Sequence, residues 1–175
     1  MECEKIVIWE NQSLDDCYQE IDEKIQAGVT VEKPTFDENQ CCVLNTNTII
    51  KILRLFGSRG ILVRYGVAFF KDNSYWKVNL ENSKDIPDYL RKNRKSLHRL
   101  VYTVYYGYPK GITSKNFEIH HMCRNPECLN PLHLIAIPRD KHREIEHLNQ
   151  KFLKEGKTFQ EIRFIIRKKL NKGKI

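Results

Sequence analysis

Apolar positions change their period several times along this chain, and each change marks an element. KIVIW (5–9) is a short continuous apolar run and predicts a strand. Ser13 and Asp16 stand at capping-box spacing and predict a helix running from Leu14 toward Gly28. TNTIIKILRLFG (46–57) predicts a second helix, closed by Gly57. GILVRYGVAFF (60–70) and SYWKVNL (74–80) are strand-like runs on either side of KDN, which predicts a hairpin. NSKDIPDYLRKNRK (82–95) is polar and reads as a loop. In SLHRLVYTVYYG (96–107), Leu97, Leu100, Val101, Val104 and Tyr105 fall on one helical face.

The last third reads strand, long loop, strand, helix, helix. FEIHH (117–121) and HLIAI (133–137) are strand-like, and Pro138 stands where a helix would begin, to run as far as Gly156. Thr158 and Glu161 form a capping box that opens a final helix, FQEIRFIIRKKL. The chain shows no internal repeat and no low-complexity tract. The pattern predicts an α+β protein with one good core.

Charge changes this picture more than composition does. The net charge is +8, yet residues 1–40 hold three Lys against eleven acidic residues, a local balance of −8. The remaining 135 residues therefore carry +16, and a surface that basic attracts polyanions by releasing their condensed counterions. Nucleic acid is the expected partner. No apolar run approaches the roughly 20 residues that span a bilayer, so no membrane association is expected. Six cysteines without an export signal point to reduced thiols or metal ligands in an intracellular protein, cytoplasmic or nuclear. Cys3 and Cys17 read as packed or free thiols. In the tail, residues 151–175 hold nine Lys or Arg against two acidic residues, and helix-Gly-helix around Gly156 is a weak helix-turn-helix pattern able to contact DNA.

Candidate chemistry concentrates in EIHHMCRNPECLNPLHL (118–134). Cys123, Cys128 and His133 are spaced C-x4-C-x4-H, and thiolate and imidazole are the ligands that zinc prefers. A closed tetrahedral site needs a fourth ligand. His120 or His121 would make the loop a local finger; Cys41 or Cys42, from far upstream, would leave both histidines free. Neighbouring residues on a strand point to opposite faces, so a local cage would strain the loop, which favours a distant cysteine.

HRLV (98–101), the YGYP connector and HHMCRNPECLNPLHL, with a further histidine nine residues beyond His133, resemble the HNH or His-Me finger endonucleases with a zinc-binding loop, as found among homing and phage-encoded enzymes. The resemblance implies a zinc-stapled ββα-metal core at 58–150, an acidic N-terminal α/β extension at 1–57 and a basic C-terminal helix at 151–175. It implies a DNA endonuclease with His121 as the general base, His142 as ligand to the catalytic Mg²⁺ or Mn²⁺, and His120 as a further ligand to that ion. Cys123, Cys128 and His133 match the ligands of a structural Zn²⁺, with an upstream cysteine as the fourth, and Asn130 matches an architectural position. Arg99, in the segment that packs beside the active site, is a candidate phosphate contact. His142 stands where Asn is commoner. The chemistry agrees: a neutral imidazole with a reference pKa of about 6.5 can accept a proton from water at pH 7, and one cation can stabilise charge on the phosphate and the leaving oxygen. The competing readings are a non-catalytic zinc-dependent DNA-binding module on the same fold and a structural finger. Cutting both strands from one active site per subunit would call for a homodimer.

Overall fold

The computed structural model describes residues 5–6, 12–61, 68–72, 75–79, 96–107 and 116–175. The predicted loop at 82–95 and most of the connector after Gly107 lie outside them. In chain order the elements are β1 (Lys5–Ile6), α1 (Gln12–Gln26), α2 (Thr46–Gly57), β2 (Ala68–Asp72), β3 (Tyr75–Asn79), α3 (Leu97–Tyr106), β4 (Phe117–His121), β5 (Leu134–Pro138), α4 (His142–Lys154) and α5 (Phe159–Asn171). A 3-10 turn at Pro131–His133 leads into β5, and another at Arg139–Lys141 leads into α4.

Three details depart from the sequence reading. α1 already includes Gln12, so Ser13 lies inside its first turn rather than capping it. The β2–β3 ladder closes with Asp72 opposite Tyr75, so the strands run into the KDN stretch read as the turn. Pro138 ends β5 instead of opening α4, because its fixed φ of −61° comes with an extended ψ of 139°; the α-helix starts four residues later, at His142.

Two antiparallel sheets form, β1-β2-β3 and β4-β5. The β4–β5 ladder pairs Phe117 with Pro138 and His121 with Leu134. Alternation along this pair decides the architecture. Phe117, Ile119, Leu134 and Ala136 bury one face with Tyr102 of α3. Met122, Ile135 and Ile137 bury the other with Ile145 and Phe152 of α4 and Ile162 and Ile166 of α5. The hairpin is thus held between α3 on one side and α4–α5 on the other. A separate apolar cluster joins Leu14, Cys17 and Ile21 of α1 to Ile49, Ile52 and Phe56 of α2 and to Leu97, Leu100 and Val101 of α3, with Leu129 reaching in from the loop before β5.

α5 follows α4 through Gly156, whose φ of 73° suits glycine, and opens with the predicted Thr158–Glu161 capping box. Its inner face is apolar apart from Arg163, which is 7% exposed. That guanidinium donates to the carbonyls of Pro131, Leu132 and Leu134 and so ties α5 to the 3-10 turn before β5. Removing it takes the charged donor from the Leu132 and Leu134 carbonyls, while the Pro131 carbonyl keeps the Leu134 amide. Arg163→Met is expected to cost about 2–4 kcal/mol, since each buried polar group left unsatisfied costs roughly 1–3, measured as the shift in the urea unfolding midpoint.

Candidate metal centres and active-site cleft

The zinc-type loop is built by short-range turns. Asn125 Oδ1 accepts from the Glu127 amide at 3.0 Å, and the Cys128 amide donates to the Asn125 carbonyl at 3.1 Å. Asn130, fully buried, accepts from the Leu132 amide at 3.0 Å and caps the 3-10 turn. Its Nδ2 donates to the carbonyls of Asp37 at 2.7 Å and Gln40 at 2.8 Å, while the Leu129 amide donates to the Cys42 carbonyl at 2.7 Å. These bonds pin residues 37–42 against the loop. Cys41 is thereby delivered to Cys123, Cys128 and His133, with the four ligand atoms all within 4.8 Å of one another.

A tetrahedron with Zn–S bonds of about 2.3 Å has edges of roughly 3.8 Å, so this Cys3His set could hold zinc. His133 Nδ1 lies 3.6 Å from Cys41 Sγ and 3.3 Å from Cys128 Sγ. Its Nε2 donates to the Glu38 carbonyl at 2.6 Å, which commits the proton to that nitrogen and turns the Nδ1 lone pair inward. A hydrogen bond from the neighbouring Cys123 holds Cys128 well below the ordinary thiol range, and the same contact pushes Cys123 upward. A cation held by three cysteines and an imidazole would draw off the remaining thiol protons and balance the thiolates so formed. Cys42, next in the chain, is not in the set; Cys17 packs in the α1–α2 core.

A second cluster lies on the α4 side of the hairpin. His120, His142 and Glu146 bring their ligand atoms within 4.8 Å of one another. His120 Nδ1 is 3.3 Å from His142 Nε2, and His120 Nε2 is 3.3 Å from Glu146 Oε2. Glu118, two residues before His120 and so on the same strand face, takes His142 Nδ1 at 2.9 Å and Arg139 Nε at 3.0 Å, leaving His142 Nε2 aimed at His120. Asn149, one turn beyond Glu146, donates to the Met122 carbonyl at 2.9 Å and approaches His120 Nε2 at 3.4 Å. Burial pushes the His120 pKa well below the usual imidazole range, so the ring presents lone pairs rather than charge. Two imidazoles and a carboxylate form a donor set suited to a divalent cation.

His121 closes β4 and belongs to the opposite strand face, so it is His120 that His142 meets. The His121 ring stands 4.6 Å, centroid to centroid, from His98 of α3. Its Nε2 donates to the Cys128 carbonyl at 3.2 Å. Burial lowers the pKa of both rings, that of His98 strongly, with His121 itself the next largest cause there. His98 in turn meets the Ser96 hydroxyl at 2.8 Å. The two faces meet at the strand end, where Ile119, His120, His121, Arg124, Pro126, His142 and Glu146 line one open cleft of ≈ 340 Å³. Arg99 is not among them; its guanidinium lies 4.2 Å from the centre of the Phe117 ring.

A strand hairpin crossed by a helix, with metal-type ligands shared between strand and helix, is the ββα-metal arrangement. Residues 95–144 match the family described as HNH endonuclease, a span that runs from the start of α3 to the first turn of α4. No curated protein and no solved structure matches the chain.

Sequence reasoning missed Glu146, Glu118 and Asn149. The signal for Glu146 was its place four residues after His142 on one helix face. Cys41→Ser is expected to lose zinc on metal analysis of the purified protein, whereas Cys42→Ser keeps a full equivalent. Asn130→Ala removes three hydrogen bonds made by a fully buried side chain and is expected to lower stability by about 1–3 kcal/mol in thermal unfolding followed at constant zinc.

Proposed function

We propose that this protein is a divalent-cation-dependent endonuclease that hydrolyses phosphodiester bonds of double-stranded DNA, with a structural zinc in the Cys3His set. The observation that carries the reading is a single cleft in which a buried His121 stands beside the His120, His142 and Glu146 cluster. The basic balance of the chain supports a polyanionic substrate, as do the exposed Lys151, Lys154, Arg167 and Lys168 along α4 and α5.

His120, His142 and Glu146 would hold the catalytic cation, Mg²⁺ or Mn²⁺, which when bound supplies Lewis-acid stabilisation of charge on the phosphate and the leaving oxygen. The chain's own atoms do the rest. Donation of the His121 Nε2 proton to the Cys128 carbonyl leaves Nδ1 as the proton acceptor. Because burial lowers its pKa, the ring is unprotonated at pH 7 and can act as a base. Nδ1 takes a proton from water as the water oxygen bonds to phosphorus; the bond from phosphorus to the departing sugar oxygen breaks, and that oxygen is protonated from solvent. Three points hold His121 in position: the strand behind it, the Cys128 carbonyl and the His98 ring. One of the three, the Cys128 carbonyl, belongs to the Cys3His loop, so a zinc held there would help to fix the geometry of the ring.

Cleavage of supercoiled plasmid by wild type and His121→Ala, with zinc content measured in both, tests this directly. The variant is expected to retain zinc and lose about 10²–10⁴-fold in rate, the range of general-base catalysis. If wild type binds DNA and cuts none, the protein is a zinc-dependent binding module. If the variant loses its zinc, His121 is a structural ligand. Glu146→Ala is expected to raise the Mn²⁺ concentration for half-maximal cleavage by at least about tenfold, measured by metal titration at fixed DNA.

A further inference from the structure

Arg124 has the backbone of a glycine. Its φ is 60°, and among the described residues it is the one non-glycine with a positive φ. A left-handed conformation disfavours side chains other than those of Asn, Asp and Gly, so glycine would suit this turn better. The turn itself is fixed from elsewhere: the Arg124 amide donates to the His121 carbonyl at 3.0 Å, and the preceding Cys123 sits in the Cys3His set. The side chain returns little stability. It is 61% exposed, and its Nε lies 3.7 Å from Glu146 Oε1, a long and solvated ion pair. What the side chain does have is position. Among the described residues lining the cleft it is the one permanent cation, and it springs from the turn that follows the proposed base.

We propose that Arg124 grips the scissile phosphate. In the free protein its guanidinium rests against Glu146, whose other oxygen approaches His120. When DNA enters, the guanidinium swings onto the nonbridging oxygens of the phosphate, which its planar fork matches, and leaves Glu146 free to serve the cation. Backbone strain at a functional turn is thereby exchanged for a phosphate contact next to the base. This rests on the nuclease reading of the same cleft.

The test compares wild type, Arg124→Gly and Arg124→Lys, all zinc-loaded. Anisotropy of a short fluorescent duplex is followed over a KCl series without divalent cation, and cleavage kinetics are followed with Mn²⁺. Arg124→Gly is expected to keep its zinc and melt at the same or a higher temperature. It should lower kcat/KM at least about tenfold and reduce the slope of log affinity against log salt by about 1, as loss of one phosphate contact requires. Arg124→Lys should restore the slope and only part of kcat/KM, because a point charge lacks the fork. Loss of zinc or a lower melting temperature in Arg124→Gly would make Arg124 a structural residue and overturn the proposal. Unchanged affinity and slope would overturn it too. If wild type binds DNA but cuts none, the catalytic reading fails while the salt slope still decides whether Arg124 meets phosphate; if wild type binds no duplex, both readings fall.

Discussion

Everything at the cleft depends on one convergence: three sulfurs and an imidazole nitrogen, from positions 41, 123, 128 and 133, packed within 4.8 Å. Thiolates brought together without a counter-cation repel one another, and partial burial makes that worse. The fold holds the ligands together through hydrogen bonds around the cluster. The Glu38 carbonyl orients His133, and Asn130 satisfies two carbonyls of the segment that delivers Cys41. With a cation in place the same set becomes a cross-link between the N-terminal segment and the β4–β5 loop, over a separation of 82 to 92 residues. The Cys128 carbonyl that holds His121 and the turn that presents Arg124 both belong to that loop.

Alternation along β4 then sorts the chemistry. Odd positions Phe117, Ile119 and His121 look toward α3, and even positions Glu118 and His120 look toward α4. The proposed base and the proposed cation ligand can stand next to each other in sequence and still be served by different helices. Burial against the His98 ring favours the uncharged form of His121 from one side. Glu118 and Asn149 fix the rings of His142 and His120 from the other. Pairing to β5 stops any slip in register, which would exchange the two roles.

Much of this was legible in the sequence, for local reasons. The C-x4-C-x4-H spacing, the adjacent histidines and the turn residues around them are short-range patterns, and short-range patterns survive without coordinates. The choice between Cys41 and Cys42 was not legible, because two neighbouring cysteines have the same chemistry and only the backbone bonds to Asn130 and Leu129 decide which faces the loop. Arg99 was read as near the phosphate from its place on α3, yet a helix residue's direction depends on the helix phase, and that phase sets Arg99 over Phe117. The start of α4 was misplaced because proline serves equally at the end of a strand and at the first turn of a helix.

α4 is where stability and function meet on one element. Ile145 and Phe152 face the hairpin core, while His142 and Glu146, a turn apart, face the cleft. Asn149 lies on the boundary and touches both, donating to the Met122 carbonyl beneath the core and approaching His120 above it. The cleft ligands are therefore carried by a helix whose rotation is fixed by apolar burial on the opposite stripe. α5 adds to this by burying Ile162 and Ile166 in the same cluster and anchoring Arg163 on the turn that ends in His133. Its inward face is thus committed to holding the candidate metal loop, Arg167 donates to the Tyr102 hydroxyl of α3, and the outward stripe with Lys168 and the 65% exposed Phe164 is left to meet a partner. A basic tail with one face so occupied acts as a buttress first, and any contact it makes with DNA comes from a surface whose orientation relative to the cleft is already set.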